Sequence, residues 1–248
     1  MKQLLGAITF LDVLGWKGIY NRHDDPIKDL KELIGLVEAE IAKTTKWKDR
    51  TKVKSISDTI VILCESGPLE ASDAIEHHGL LCAKLIPASV VSKIPVRGAT
   101  AFGQFQNMAN IFVGKAVDEA AAWHEEGDWI GVHLTPSADY VFTRPENSVW
   151  ISHEPPLKSR SSWQTHCVNW INHAAAPAFD ENSTKATFRE LGPILPELLS
   201  KFANTLKFAG KARTPPSAAT ISATPAPSPA PPSPTKKQKA SPKKVTGR

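Results

Sequence analysis

The sequence contains little cysteine and no long apolar run. Its three cysteines, Cys64, Cys82 and Cys167, form no Cys-x-x-Cys pair and no Cys/His ligand spacing, which argues against a zinc site and a disulfide framework. No stretch reaches the length of a transmembrane helix. The short apolar run near the N-terminus is interrupted by Asp12 and lacks a cleavage site, so a signal peptide is not expected. These absences predict a soluble protein of a reducing compartment, the cytoplasm.

The C-terminal part of the chain lacks both aromatic and acidic residues. From Thr214 onward it holds nine of the twenty prolines, and most of its other residues are Ser, Ala, Thr or Lys. Such a composition buries too little apolar surface to offset the entropy lost on ordering, so we predict a disordered, Pro-rich basic tail at 212–248. The tail could attract RNA, DNA or an anionic lipid surface, or act only as a solubilising tether.

The excess of positive charge comes from that tail. The formal net charge is +5, but seven cations lie between Arg213 and Arg248, which leaves a net charge of −2 for the rest of the chain. By composition the folded part is therefore not a basic nucleic-acid-binding domain. Residues 1 to about 210 are enough for one domain with a sizeable core.

Hydrophobic periodicity predicts a β-α-β-β-α-β order with additions. The segments are a strand in LLGAITFLDVL, a helix in DPIKDLKELIGLVEAEIAKTT, a hairpin in KVKSISDTIVILCE, a helix in ASDAIEHHGLLCAKLIPASVVSK, a strand in IPVRGATAFGQF and an Ala-rich helix after NIFVGKAVDEAAAWHEEGD. We expect further short strands in WIGVHLTP and DYVFTRP. This order predicts the α+β class with a ferredoxin-like βαββαβ core.

The region from Arg160 to Ala209 is expected to be mainly helical. Its predicted helix carries one apolar face, formed by Leu191, Ile194, Leu195, Leu198, Leu199 and Phe202. We expect that face to pack against the core, and the alternative is that it covers a dimer surface. Trp163, His166 and Trp170, at near-helical spacing, are interpreted as core residues.

Asp12 and Asp58 are the most informative residues. Each lies in or just after a β-branched, apolar run, ITFLDVLGW or VKSISDTIVIL. If the two strands pair, both carboxylates come to one place and offer a hard, oxygen-rich site for Mg²⁺ or Mn²⁺. Such a metal pair can hold a nucleoside triphosphate for phosphoryl chemistry. Asp58 as a mere hairpin-turn residue is the simpler alternative.

Four segments in order resemble the motifs of the class III nucleotide cyclases. They are ITFLDVLGW, VKSISDTIVI, VRGATAFGQ and FVGKAVDEAA, and together they cover about residues 5 to 135. Within that family the chain is most similar to the bacterial antiphage pyrimidine cyclases of Pycsar systems. The resemblance implies a class III cyclase catalytic core at 1–150, a mainly helical C-terminal extension of the same domain at 151–211 and the tail at 212–248.

The resemblance also implies roles for individual residues. Two divalent ions, Mn²⁺ or Mg²⁺, would activate the ribose 3′-hydroxyl and neutralise the triphosphate. The implied residues are Asp12, Asp58, Arg97 and Asp118 as catalytic, Asp12, Val13 and Asp58 as metal ligands, and Val13, Leu14, Gly15, Trp16, Arg50, Lys54, Arg97 and Lys115 as nucleotide-binding. The turn after Asp12 would face phosphate through its backbone groups.

Three departures from the family pattern affect the substrate and the charge at the site. The acid that accepts a hydrogen bond from adenine falls at Ile111, and the acid of guanine-specific members falls at Lys54, so neither purine pattern is intact. Lys54 and Arg50 are donors and suit the two carbonyls of uracil, which favours UTP over CTP. The family's ribose-orienting Asn is Asp118.

A fourth departure removes a cation. The family's transition-state Arg falls at Ala122. Arg97 and Lys115 are the candidates to supply the missing positive charge, and surface or strand-end ion pairs are their simpler interpretation.

The resemblance implies a symmetric homodimer with active sites at its interface, Asp12 and Asp58 coming from one chain and Lys54, Arg50 and Asp118 from the other. The product, 3′,5′-cyclic UMP, would act on a separate effector in antiphage defence. Alternatives are a cytidylate cyclase, a purine (adenylate or guanylate) cyclase, and a degenerate cyclase-like binding module acting through the basic tail.

Several other residues are interpreted as ordinary structure. His77 and His78 are adjacent on a helix, point to different faces and are predicted to lie on the surface. The segment from Trp123 to Glu126 is predicted to be a solvated helix end. Cys167 has no visible base partner, so a nucleophilic role is not expected.

Overall fold

The computed structural model describes residues 3–21, 23–108, 111–173, 181–190 and 196–213, and all of them belong to one unit, Met1–Pro215. The predictions for 214–248 therefore lie outside the described residues, as does the N-terminal pair of residues. Within the described ranges, none of the helices combines the length and the apolar character needed to cross a membrane.

Eight strands and seven helices make up these ranges. The strands are β1 (Leu4–Val13), β2 (Thr51–Ile56), β3 (Thr59–Glu65), β4 (Val96–Met108), β5 (Ile111–Val113), β6 (Gly131–Leu134), β7 (Trp150–His153) and β8 (Thr165–Val168). The helices are α1 (Pro26–Ala42), α2 (Ala71–Val91), α3 (Lys115–Trp123), α4 (Pro136–Val141), α5 (Trp170–His173), α6 (Glu181–Glu190) and α7 (Pro196–Arg213).

The sheet confirms the predicted ferredoxin-like order. Its strands follow the sequence β2-β3-β1-β4-β6-β8-β7, and β5 pairs with β4. The first four strands pair antiparallel with β1 and β3 adjacent, as a βαββαβ core requires. β6 joins β4 in parallel, and β8 and β7 extend the sheet beyond it.

The two faces of β1 bury different clusters. Ala7 and Leu11 belong to the large core that also contains the apolar residues of α1 and α2. Ile8 and Phe10 belong to a second cluster, with Ala116 and residues of α3. Because side chains alternate along a strand, Asp12 follows Phe10 on the α3 face.

Local sequence signals explain the ends of the predicted elements. The Asp25 carboxylate accepts the backbone N–H of Lys28 at 3.0 Å and Pro26 occupies the first turn of α1, so this helix begins where the Asp-Pro signal predicts. Between β2 and β3 the turn has Ser57 at a φ of 56°, which makes the hairpin tight and places Asp58 at its tip.

Two predicted elements differ from the structure. DYVFTRP was expected as a strand, but its first residues form the end of α4, because Thr135 and Pro136 supply an N-terminal helix signal upstream of it. Residues from Arg160 onward were expected as helix, but β8 lies there and pairs with β6 and β7. The extension at 151–211 thus contributes two strands to the sheet as well as helices.

The predicted apolar face of the C-terminal helix is correct only in part. Phe202 is buried, but Leu199 is 58% exposed and does not pack into the core. Leu191, Ile194 and Leu195 lie outside the described residues. The buried residues that seat α7 lie further along it and include Phe208 and Ala212.

The prediction that His77 and His78 lie on the surface is wrong. Both are buried, because the α2 face that carries them packs on the sheet and on Trp47. The Nδ1 atom of His78 lies 2.7 Å from the Thr9 hydroxyl, which lies 2.7 Å from the Thr100 hydroxyl. Burial lowers the pKa of His77 to about 4 and that of His78 well below its usual range, so both rings are neutral core groups.

Candidate functional site

The structure brings Asp12 and Asp58 to the same end of the sheet. Asp12 pairs with Thr59 in the β1–β3 ladder, so the β2–β3 turn that carries Asp58 lies directly beside it. The backbone N–H of Val13 donates to the carbonyl of Asp58 at 3.2 Å. The pairing that the sequence pattern predicts for these two strands therefore holds, and the two acids share one site.

Arg97 completes this cluster from β4. Asp12 and Arg97 are directly opposite each other in the β1–β4 ladder. The Nε and Nη2 atoms of Arg97 both donate to Oδ2 of Asp12, at 3.0 and 2.9 Å. Because both bonds go to one oxygen, Oδ1 is the oxygen that can approach a metal ion.

The segment after α3 holds Arg97 in place. Nη1 of Arg97 donates to the carbonyls of Glu125 and Gly127 at 2.8 and 3.1 Å. The guanidinium is only 7% exposed, so these bonds satisfy donors that would otherwise be buried unpaired. The sequence pattern predicted only a helix end for this segment. Its contacts with Arg97 are made through backbone carbonyls, so no pattern of side chains could reveal them.

Burial and charge act against each other at Asp12. Burial raises the pKa of the Asp12 carboxyl, and the nearby Asp58 raises it further. The ion pair and hydrogen bonds from Arg97 lower it, as does the positive charge of His124 when that ring is protonated. The net effect is a raised pKa, which is the behaviour of a carboxyl that lacks sufficient compensating positive charge.

The available donors suit a Mg²⁺ or Mn²⁺ site completed by water and substrate better than a site whose metal ligands all come from the protein. Within the described ranges, no group of three or more His, Cys, Asp and Glu side chains is arranged to hold an ion. Mg²⁺ is usually held by one or two carboxylates and completed by water and substrate phosphates, rather than by a full protein cage. Asp12 and Asp58, with a raised pKa at Asp12, are consistent with that kind of site.

The turn after Asp12 offers fewer amide donors than expected. The N–H of Val13 is taken by Asp58, and the N–H of Leu14 donates to the carbonyl of Pro95 at 2.8 Å. These two amides are therefore not available to a phosphate in this conformation, which corrects the expectation for them. Gly15 has a φ of 75°, which a side chain would disfavour, and the Trp16 carbonyl accepts the N–H of Ile19.

Lys54 and the β5 strand lie near each other on the α3 face. Lys54 is opposite Val61, which is opposite Phe10, so these side chains share the face that carries Asp12. The Lys54 ammonium lies 5.9 Å from the ring of Phe112, the neighbour of Ile111 on β5. Lys54 therefore approaches β5 on the face of Phe112, and the adjacent Ile111 lies on the other face of that strand.

Arg50 lies at the other end of the β2–β3 hairpin. Its Nη1 and Nη2 atoms donate to the two carboxylate oxygens of Glu70 at 3.2 and 2.6 Å, and its guanidinium lies 4.8 Å from the centre of the Trp47 ring. The pair lowers the pKa of Glu70 to about 2. The N–H groups of Arg50 that were expected to bind the edge of the base are engaged in this ion pair. Base binding by Arg50 therefore stays a prediction.

The predicted residues of α3 point outward. Lys115, Asp118 and Ala122 are all exposed, and Asp118 and Ala122 are one helical turn apart. Gly114 precedes the helix with a φ of 141°, and an added Cβ there would meet the Phe105 backbone at 2.6 Å. A glycine at this position lets α3 start tightly against β4 and sets the direction of these exposed side chains.

The three cysteines are inert core residues. All are buried as free thiols. Burial raises the pKa of Cys64 to about 11 and that of Cys82 to about 12, and it raises the pKa of Cys167 well above its usual range. Thiolate chemistry at these positions is therefore disfavoured, in agreement with the sequence pattern.

Comparisons with known proteins give structural likenesses only. No protein-family model and no curated protein matches the chain. One similar solved structure is the catalytic core of a rhodopsin-guanylyl cyclase with converted specificity in complex with ATPαS, at 20% identity and a TM-score of 0.49, covering 67% of this chain and 96% of that one.

Two further similar structures are adenylyl cyclases. CyaB from P. aeruginosa has 11% identity and a TM-score of 0.47, covering 67% of this chain and 94% of that one. An adenylate cyclase from Trypanosoma brucei has 15% identity and a TM-score of 0.45, covering 66% and 87%. At these values the likenesses assign no function, and the proposal below rests on this chain's own residues.

Proposed function

We propose that this protein is a metal-dependent nucleotide cyclase that converts UTP to 3′,5′-cyclic UMP and pyrophosphate. The observation that carries the proposal is the meeting of Asp12 and Asp58 on neighbouring strands, with Arg97 beside them. The four motifs that resemble class III cyclases place the same residues in the same roles. Burying carboxylates costs free energy, so the presence of two of them at one end of the sheet favours a binding or catalytic site over a purely structural role.

The chain's own residues would divide the work of cyclisation. Asp12 and Asp58, with Val13, would hold divalent ions, which when bound would activate the ribose 3′-hydroxyl and neutralise the departing pyrophosphate. Arg97 is fixed by two carbonyls and keeps a guanidinium beside Asp12, where its positive charge would act on the phosphate groups. In-line attack of the 3′-oxygen on the α-phosphorus then closes the cyclic diester.

The proposed choice of a pyrimidine rests on Lys54 and Ile111. An exposed apolar Ile at 61% exposure cannot accept a hydrogen bond from adenine, and a lysine cannot accept one from guanine. Lys54 lies beside β5 and can donate to a carbonyl, which uracil offers at two positions. UTP is therefore favoured, with CTP next.

A second copy of this chain is the proposed partner. Met108, Ile111 and Val113 are each more than half exposed and, by strand pairing and alternation, share one face of the β4–β5 hairpin. The opposite face carries Phe112, which packs on Phe10. Pairing of two hairpins would cover this apolar face and bring Asp118 of one chain toward Asp12 of its partner.

A second candidate function is nucleotide binding without turnover. The favouring observation is that Asp12 already has a partner in Arg97, as a structural buried ion pair would. A degenerate module of this kind would bind nucleoside triphosphate or act through its basic tail, and would release no cyclic product.

An assay with four substrates tests the proposal. Purified protein is incubated with Mn²⁺ and ATP, GTP, CTP or UTP, and cyclic products are separated by chromatography. Cyclic UMP formed by the native protein and absent with Asp58→Asn supports the proposal. Cyclic AMP or cyclic GMP as the main product would overturn the base assignment alone, whereas binding of triphosphate without any product would favour the second candidate.

A further inference from the structure

A cavity of about 410 Å³ lies between α7 and the segment that follows β7. Its volume falls in the range of about 300–1,000 Å³ that is typical of small-molecule sites. One side is formed by His153, Glu154 and Pro156, and α7 contributes Asn204, Lys207, Phe208 and Lys211. None of these residues belongs to the proposed nucleotide site, so the cyclase function assigns the cavity no role.

Positive charge converges on this cavity. Lys207 and Lys211 are exposed, lie one helical turn apart on α7 and both line it. Within the described part of the chain neither ammonium has a carboxylate at ion-pair distance, whereas Lys201 of the same helix pairs with Asp128 at 3.2 Å. The acid of the lining is Glu154, which is exposed. Two ammonium groups against one carboxylate make the cavity attractive to an anion.

The imidazole of His153 adds a third nitrogen group. The half-buried ring is held by packing, with its centre 5.0 Å from that of Phe208 and 6.2 Å from that of Trp129. Burial lowers the pKa of His153, the charge of Lys211 lowers it further, and Glu154 acts in the opposite direction. Lys211 and the ring therefore repel each other when both are charged, and a bound anion would relieve that repulsion.

The kind of cation favours a phosphate over a carboxylate. Arginine matches planar carboxylates through two parallel N–H groups, whereas the lysine ammonium is a compact point charge with three donors. Two lysines and an imidazole suit the tetrahedral, doubly charged group of a phosphate monoester. The cavity is many times larger than a water molecule, whose share of liquid volume is about 30 Å³, so an organic group fits beside the phosphate.

We propose that this cavity binds a small organic phosphate monoester. The phosphate lies between the ammonium groups of Lys207 and Lys211, and the ring edge of His153 faces it. The organic part of the ligand packs on Pro156 and on the face of the imidazole.

The ligand would join two segments that hold the loop after α3. The side-chain N–H of Asn204 on α7 donates to the carbonyl of Asp128 at 2.9 Å, and the N–H of Asp128 donates to the carbonyl of Pro156 at 2.8 Å. The preceding residue, Gly127, accepts a hydrogen bond from Arg97. A molecule that contacts both α7 and Pro156 therefore stabilises the loop that holds Arg97.

Calorimetric titration with phenyl phosphate tests the site. In low-salt buffer with EDTA, which keeps divalent ions from the proposed metal site, native protein should bind phenyl phosphate with a Kd below about 1 mM. Benzoate, a carboxylate with the same ring, should bind at least about 10-fold more weakly. Lys207→Gln/Lys211→Gln should also weaken the binding of phenyl phosphate at least about 10-fold.

A matched double variant controls for net charge. Lys31→Gln/Lys84→Gln removes two exposed lysines of α1 and α2 that do not line the cavity, and it should keep the native affinity within about 2-fold. Circular dichroism and urea denaturation check that each variant keeps the native fold.

Hydrogen exchange supplies a second, structural measurement. Saturating phenyl phosphate should slow the exchange of backbone amides in 200–213 and in 125–128 of the native protein. The same addition should leave exchange unchanged in Lys207→Gln/Lys211→Gln.

Each contrary result has a definite meaning. No measurable binding by the native protein, or equal affinity in the native protein and Lys207→Gln/Lys211→Gln, overturns the site. Equal affinity for benzoate and phenyl phosphate overturns the choice of phosphate. Binding that is lost in Asp58→Asn would place the ligand at the nucleotide site instead. None of these measurements uses cyclase activity, so this proposal and the proposed function stand or fall separately.

Discussion

At the residue scale, burial lowers the pKa of three core histidines, His77, His78 and His133. His133 is fully buried, and neither of its ring nitrogens has a hydrogen-bond partner among the described residues. Burial lowers its pKa to about 4, as it does for His77, and lowers the pKa of His78 well below its usual range. In the unfolded chain all three return to an ordinary value of about 6.5.

These shifts predict acid sensitivity near pH 5. A folded-state pKa below the unfolded one gives stability that is complete above about pH 6.5 and is lost as the pH falls toward the folded value. Each such group contributes a slope of about 1.4 kcal/mol per pH unit in that range. The free energy of unfolding, measured by urea titration, should therefore fall steeply from pH 6.5 to 4.5.

His133→Leu should reduce that slope. The change removes one of the three groups and also removes a buried unpaired polar group, which costs about 1–3 kcal/mol. The loss of unfolding free energy between pH 6.5 and 4.5 should become smaller by the contribution of one such group, about 1.4 kcal/mol per pH unit. An unchanged slope would contradict the assignment of His133 as a neutral core group.

Some residues of the candidate site can be predicted from the sequence, and others cannot. The proximity of Asp12 and Asp58 is predictable because each follows or lies within a strand with an apolar pattern, whereas Arg97 is expected only from the resemblance of its segment to a cyclase motif. The carbonyls of Glu125 and Gly127 that hold Arg97 are not predictable, since these contacts come from a loop that returns to the sheet. The engagement of Arg50 with Glu70 is likewise a contact between segments that no local pattern specifies.

At the scale of elements, two of the glycines inside helices make opposite demands. Gly79 of α2 packs against β7 so closely that an added Cβ would lie 2.6 Å from Cγ1 of Val149 and would overlap the indole of Trp150. Gly35 of α1 is exposed, and an added Cβ would meet no atom within 4 Å. Helix propensity alone would make alanine favourable at both positions.

The matched pair Gly79→Ala and Gly35→Ala separates packing from propensity. Gly79→Ala should lower the free energy of unfolding by about 1–3 kcal/mol through overpacking. Gly35→Ala should raise it by up to about 1 kcal/mol. Urea denaturation of both variants measures the difference, and equal stabilisation by both would contradict the close contact of α2 with Trp150.

Strands and helices with strong hydrophobic periodicity can be predicted from the sequence, whereas the short strands in the C-terminal part of the chain cannot. The first four strands and the first three helices follow from apolar spacing and cap signals in their own segments. β7 and β8 are four residues each, and only the pairing of β8 with β6 and of β7 with β8 distinguishes them from loop or helix. The helix α4 in place of a strand shows how Pro136 outweighs the β-branched and aromatic residues that follow it.

At the scale of the whole molecule, α7 belongs to the folded unit. Ala212 is buried, and its carbonyl accepts a hydrogen bond from Nδ2 of Asn172 at 2.9 Å. Thr205 accepts the N–H of Ile130 at 2.8 Å next to β6. A boundary for removing the tail should therefore lie after Thr214, and not after Ala209 within the helix.

Removal of residues 215–248 should leave the chemistry intact. Because the proposed site lies on β1, the β2–β3 turn and β4, the truncated chain should keep cyclase activity within about 2-fold, a margin below 1 kcal/mol. Binding to RNA or to anionic vesicles, measured by co-sedimentation at low salt, should be lost with the six cations of 215–248. Loss of cyclase activity with a retained fold would contradict this division of roles.

Binding of Mn²⁺ together with a nucleotide tests the central claim most directly, namely that Asp12 and Asp58 form one metal site. Electron paramagnetic resonance can count bound Mn²⁺ in the presence of a non-hydrolysable UTP analogue, for native protein and for Asp12→Asn and Asp58→Asn. The account predicts bound Mn²⁺ in the native protein and a loss of at least about 10-fold in affinity, or about 1.4 kcal/mol, in each variant. Native-like Mn²⁺ binding by both variants would contradict it.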